Sequence, residues 1–128
     1  MLVAIIGSRS IFPDDDTIFW NVPDQTTKII SGGAKGVDSC AKRFANNFGF
    51  KFLAVLPDYP VHGRKAPLIR NQEIIDKCDY VLAFWDGKSS GTGHTINLAK
   101  KAGLPVRVVK VNQSGQLPLF GGLQGLKK

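Results

Sequence analysis

The chain has 128 residues, 43% of them hydrophobic and 21% charged, with 14 glycines and 7 prolines. That is the composition of one ordinary globular domain, and it excludes disordered and fibrous classes. The net charge of +7 is unevenly placed: residues 1–86 carry ten basic and ten acidic side chains, residues 87–128 seven basic and none acidic, a field that concentrates anions such as nucleic acid, nucleotides or acidic lipids.

Residues 2–6 (LVAII) are a continuous apolar run that stops at Gly7-Ser8-Arg9, the pattern of a buried strand ending in a tight turn. A short helix is expected around 15–20, where acidic residues suit its first turn. Residues 27–31 (TKIIS) predict a second strand, which runs straight into the glycine-rich loop Gly32-Gly33-Ala34-Lys35-Gly36. Over 37–47 apolar residues recur at three- and four-residue steps and Gly49 supplies a stop, the clearest helical signal in the chain. A third strand is expected at 51–56 (KFLAVL), then a long loop to Pro67, a helix over 68–77 and a fourth strand at 80–85 (YVLAFW). A second glycine-rich loop at 86–93, a helix over 94–102 and a fifth strand over 106–111 complete the pattern.

Strands alternating with helices imply right-handed crossovers. The expected architecture is a single Rossmann-like α/β domain over residues 1–112, with a mainly parallel five-stranded sheet covered by helices on both faces. Residues 113–128 are set apart as a Gly/Leu-rich basic tail, which is an edge strand, a docking segment or disorder. Cys40 and Cys78 lack any metal-ligand spacing and read as buried reduced thiols. No apolar run reaches the roughly 20 residues of a membrane span, and Met1-Leu2-Val3 lacks the basic start of a signal peptide. A cytoplasmic chain without membrane, metal or cofactor is expected.

In an open parallel sheet a ligand sits outside the carboxyl ends of the strands, where the winding reverses. Four loops converge there, at 7–10, 31–36, 58–67 and 86–93. The second and fourth each pass from a strand through glycines and a hydroxyl into a helix, where close backbone approach and free N–H groups favour an anion. Ser31, Gly32, Gly33, Gly91 and Thr92 are therefore phosphate-contact candidates, with Gly7, Ser8, Ala34, Gly36 and Ser90 beside them. Neither GxxxxGK[ST] nor GxGxxG is present, which counts against Mg-dependent NTP hydrolysis and dinucleotide redox chemistry.

Arg9 directly follows a strand end and reads as a phosphate or carboxylate clamp. Arg70-Asn71 is either a ligand contact or helix-surface polarity. Asp38 is either a first-turn charge or a contact to a ribose hydroxyl or base. His94 is either a proton donor or phosphate ligand, or a surface histidine, and His62 is a weaker candidate of the same kind. Trp85 and Tyr59 are candidates for stacking on a base, with core packing the alternative for Trp85. Lys35 and Lys88 can steer anions without touching them.

These residues, taken in order, resemble a known family. Gly7-Ser8-Arg9, the run SGGAKGVD at 31–38, Pro57-Asp58, Arg70-Asn71, AFWDG at 83–87 and Ser90-Gly91-Thr92 through Thr95-Ile96 are similar to the YspA-like, YpsA-related branch of the SLOG superfamily. SLOG proteins share a Rossmann-like fold and include DprA, which binds single-stranded DNA, and the LOG enzymes, which cleave ribose monophosphate from nucleotides. The resemblance implies a nucleotide-derived ligand held by residues 31–36 and by Gly91-Thr92, and it implies self-association. LOG enzymes carry PGGxGTxxE, whose Glu serves catalysis beside an arginine. The Glu position here is Thr95, which cannot act as a carboxylate base, and Arg70 is a loose counterpart of the arginine.

Three functions follow. The first is binding of a nucleotide or nucleotide-derived ligand, as a sensor, sequestering protein or processing enzyme. The second is N-glycosidic cleavage or transfer on a nucleoside monophosphate, with Asp38, Asp58 or Asp86 in place of the missing Glu, since an oxocarbenium-like step needs a nearby carboxylate. The third is single-stranded nucleic-acid binding of the DprA type, ranked below the others because no basic stripe interleaved with aromatics is visible.

Overall fold

Successive strand side chains point to opposite faces, so the apolar run of β1 (Leu2–Gly7) supplies two cores at once. Val3 and Ile5 pack with Ile18 of α1 (Asp15–Asn21), with Val22 just beyond its end, and with Val37, Cys40, Ala41, Phe44 and Ala45 of α2 (Val37–Phe48). Ala4 and Ile6 pack on the other side with Ile74 and Ile75 of α4 (Ala66–Lys77) and with Ile96 and Ala99 of α5 (Ser90–Lys101). The remaining strands are β2 (Lys28–Ser31), β3 (Lys51–Ala54), β4 (Tyr80–Trp85) and β5 (Val106–Lys110). A short helix α3 (Tyr59–His62) and a 3-10 turn (Gly63–Lys65) precede α4. The computed structural model describes residues 1–111 and 116–117; the tail expected over 113–128 lies outside them, apart from Gln116 and Leu117.

The sheet order is β3-β2-β1-β4-β5 and every pairing is parallel. The chain is a Rossmann-like α/β domain: β1 lies at the centre, α1 and α2 cover one face and α4 and α5 the other. Phe44 anchors the first face, fully buried, with its ring 4.6 Å from Phe48 and 5.5 Å from Phe50. Burying one such side chain contributes roughly 3 kcal/mol. Both cysteines are free and buried, and burial pushes the Cys78 thiol up to about 11. Among the described residues no helix is long and apolar enough to cross a membrane.

The boundaries depart from expectation by more than one residue at three places. β3 ends at Ala54 rather than position 56, because its partner β2 ends at Ser31, opposite Ala54, and leaves nothing further to pair with. The 58–67 loop is largely helical, and α4 opens at Ala66 with Pro67 in its first turn, where a missing N–H costs nothing. α5 begins at Ser90, not His94, so Gly91, Thr92 and Gly93 are its first turn rather than a loop. The Asp86 carboxylate closes the preceding turn by accepting from the Lys88 and Ser89 N–H groups at 2.8 and 2.7 Å, which lets the helix start at once. Gly93 is there for space: a Cβ on it would lie 3.1 Å from the Trp85 ring.

Candidate functional site

β1 and β4 are neighbours whose chains leave toward opposite faces of the sheet. Their outgoing turns diverge and leave a crevice at the carboxyl ends of the strands. It has a volume of about 650 Å³. Gly7, Ser8, Arg9, Gly32, Ala34, Asp38, Arg70, Asn71, Ser90, Gly91, Thr92 and Thr95, all singled out from the sequence, line it together.

The floor is built where the two turns touch. Ser8 is buried; its Oγ lies 2.9 Å from Ser89 Oγ and accepts from the Asp86 N–H at 3.4 Å. Arg9, the next residue, is exposed on the crevice wall. Among the described residues its guanidinium makes no ion pair.

The second wall is the turn between β2 and α2, and it is clasped from inside. Asp38 Oδ2 accepts from the Ala34 N–H at 3.0 Å, while Oδ1 lies 2.8 Å from Ser31 Oγ. That hydroxyl is also 2.9 Å from the Ile5 carbonyl, so its one proton is shared between two acceptors. Arg70 reaches over from α4, donating from Nη1 to the Gly32 carbonyl at 2.7 Å and from Nε to Asn71 Oδ1 at 3.0 Å. A Cβ on Gly32 would lie 2.6 Å from Arg70 Nη1 and 3.0 Å from Asp38 Oδ2, so a larger residue would push the arginine off the turn.

Burial pushes the Asp38 carboxyl above the ordinary aspartate range, against the pull of the Ala34 N–H, the Ser31 hydroxyl, the Arg70 charge and the Gly32 N–H. Asp86 is held below that range, first by the N–H groups of Ser89 and Lys88. Asp14 is also held low, by its hydrogen bonds from Thr17 at the start of α1. Between the ordinary value and its own, Asp38 keeps its proton in the folded chain and loses it in the unfolded one. Its contribution to stability therefore falls as pH rises through that window, while those of Asp14 and Asp86 are lost as pH falls through theirs. A carboxyl-carbon NMR titration should place Asp38 above, and Asp14 and Asp86 below, an unstructured aspartate; Asp38 titrating with the exposed carboxylates would refute the buried clasp.

The third wall is the first turn of α5. Its first intrahelical bond runs from the Gly93 N–H to the Ser89 carbonyl at 3.1 Å, so the N–H groups of Ser90, Gly91 and Thr92 have no partner inside the helix. Among the described residues no side chain caps this end, because Ser89 Oγ bonds to the Asp86 carboxylate at 2.9 Å instead. The start of α2 is less open, since the Val37 N–H is taken by the Ser8 carbonyl at 3.4 Å.

Other candidates lie away from the crevice wall. Ser31 is buried beneath Asp38, and Gly33, Lys35 and Gly36 shape the turn without lining the crevice. Trp85 packs on Gly93 and donates from Nε1 to the Ser89 carbonyl at 3.0 Å. His94 has a buried Nδ1 with no hydrogen-bond partner among the described residues and does not line the crevice. Of the three carboxylates weighed for glycosidic cleavage, only Asp38 lines the crevice, and both its oxygens are engaged. Asp58 caps α3 by accepting from the Val61 N–H at 3.2 Å, and Asp86 is tied into its own turn. Thr95 Oγ1 donates to the Gly91 carbonyl at 3.0 Å. Three polar lining residues were not singled out, Ser10, Arg64 and Ser89; membership of converging loops was their only sequence signal. The described residues hold no cluster of side chains suited to a metal ion.

Residues 1–62 match the family model of DNA recombination-mediator protein A. The Gene 61 protein of Mycobacterium phage D29 is 35% identical over a 116-residue alignment that covers 81% of this chain and 92% of that protein. Among solved structures, DNA processing protein A (DprA) from Streptococcus pneumoniae superposes with a TM-score of 0.69 at 21% identity. The match covers 87% of this chain and 50% of that one, so this chain spans half the length of that relative. DNA processing protein A from Helicobacter pylori, described for its unique single-stranded DNA binding mode, gives a TM-score of 0.69 at 24% identity, covering 91% of this chain and 68% of that one.

Proposed function

From the premise that the chain belongs to the family of the phage D29 Gene 61 protein, within the SLOG superfamily, we propose that it binds single-stranded DNA through the crevice between β1 and β4. The observation that carries this reading is the charge of the crevice wall. Arg9, Arg64 and Arg70 line it with the first turn of α5, whose leading N–H groups have no partner inside the helix, and among the described residues the one carboxylate on the wall, Asp38, is buried and already bonded. Cationic side chains and helix-start amides are what a phosphodiester backbone requires.

The nucleotide-sized ligand that the sequence placed first moves to second place. The DprA-type fold and the recombination-mediator match favour a polymer over a monomer, whereas the shared crevice chemistry alone favours neither. The phosphate-contact roles of Gly32, Ala34, Gly91 and Thr92, the place within the YspA-like branch, a cytoplasmic site of action and self-association belong to this same proposal.

Fluorescence anisotropy with labelled oligo-dT tests it. Binding should be present at low salt, should weaken steadily as salt is raised, and should exceed that of a mononucleotide or of duplex DNA. No binding of oligo-dT at low salt would overturn the reading. Tighter binding of the mononucleotide would replace it with the second.

A further inference from the structure

Leu56, Tyr59, Val61 and Leu68 are 63%, 54%, 68% and 49% exposed, an uncommon concentration of large apolar side chains in water for one short segment. One end lines the crevice and the other packs on the turn that forms its second wall. Leu56 lies over the turn between β2 and α2, where its Cδ2 sits 2.4 Å from the place a Cβ on Gly33 would take. Leu68 lines the crevice itself, beside Arg64. Tyr59 and Val61 lie between them in sequence, on α3, which runs directly into the 3-10 turn that carries Arg64 and Lys65. Four exposed apolar side chains therefore belong to the segment that carries Arg64 and Leu68 to the cleft.

We propose that these side chains form a rim that takes the bases of a single strand whose phosphates lie in the crevice, with Tyr59 as the stacking residue; the inference rests on the single-stranded DNA reading above. The charge pattern selects the occupant. A single strand carries its anionic groups along one line and flat apolar groups beside it, which matches arginines along the cleft and apolar side chains along the rim. A duplex keeps those flat faces inside its own stack. Trp85, the other aromatic considered for stacking, is committed to Ser89 and Gly93, which leaves Tyr59.

Two probes separate rim from cleft: oligo-dT, and an oligonucleotide of the same length with abasic tetrahydrofuran residues. The wild-type chain should bind the abasic strand about tenfold more weakly, the scale of one stacked base. Tyr59→Ala should lose the same factor on oligo-dT and nothing on the abasic strand, and Tyr59→Trp should restore it. Tyr59 is exposed, so an unchanged melting temperature verifies that each variant folds. Equal wild-type affinity for the two probes overturns the rim, as does a Tyr59→Ala loss of equal size on both. An unchanged oligo-dT affinity for Tyr59→Ala with a smaller assembly in size-exclusion chromatography also overturns it, since the rim would then join copies of the chain. If neither probe binds at low salt, the single-stranded DNA reading itself fails and the rim falls with it.

Discussion

Replacing Gly36 with alanine should lower the stability of the chain by about 3 kcal/mol, with roughly a 10 °C fall in melting temperature. Two causes add. Gly36 has a φ of 75° and a ψ of −126°, a conformation that costs a side-chain-bearing residue about 1–3 kcal/mol. Its missing Cβ would also lie 2.4 Å from the Arg9 carbonyl oxygen and 2.6 Å from that of Ser8. Both obstacles are backbone, so the turn after β1 would have to move, and with it the floor of the crevice. Gly49→Ala is the control: its φ is 76°, yet nothing lies within 4 Å of its added Cβ, so strain alone remains, about 1 kcal/mol. Thermal melts of both variants decide the matter. A Gly36→Ala loss no larger than that of Gly49→Ala would show that the contact with the β1 turn is not tight.

The largest effect on binding is expected from removing Arg9 and Arg64 together. Both are exposed cations on the crevice wall, and among the described residues neither has an ion-pair partner. Each charge-assisted contact to a phosphate is worth about 1.4 kcal/mol, or tenfold, so the double alanine variant should bind oligo-dT about a hundredfold more weakly at low salt. Each lost phosphate contact on a single strand also removes about 0.7 from the slope of log affinity against log salt. The slope should therefore flatten by about 1.4 while the melting temperature stays put. A weakened affinity with an unchanged slope would mean that these arginines touch something other than phosphate. Arg70 is a poorer probe, because its guanidinium holds the Gly32 carbonyl and faces Asp38, and its removal would disturb the fold as well.

Much of the architecture was legible because β1 and β4 are buried on both faces and read as unbroken apolar runs, while α2 shows one apolar stripe. Once the alternation of strands and helices was clear, the meeting of the loops after β1, β2 and β4 followed from the geometry of parallel sheets. The start of α5 was not legible, because a glycine that leaves room for a neighbouring ring looks the same in one dimension as a glycine that makes a turn. Gly93 makes way for Trp85, a residue that had itself been read as a possible ligand contact. Arg64 and Ser89 escaped for a different reason: nothing local marks a surface arginine or a loop serine, and only folding brings them to one wall. The contact between Arg70 and Gly32 joins residues 38 positions apart, beyond the reach of any periodicity.

The strand order carries a consequence for how the molecule comes into being. β1 sits at the centre of the sheet, with Leu2 paired to Lys28 on one edge and Val3 to Tyr80 on the other. As the chain leaves the ribosome, the first edge can close early, whereas the second must stay open until β4 has been made, an exposed strand edge of the kind that invites unwanted pairing. The half built from β1 to β3 can collapse on α1 and α2 in the meantime. The crevice, which draws on the turns after both β1 and β4 and on Thr95 beyond them, comes into existence only after most of the chain has already found its place.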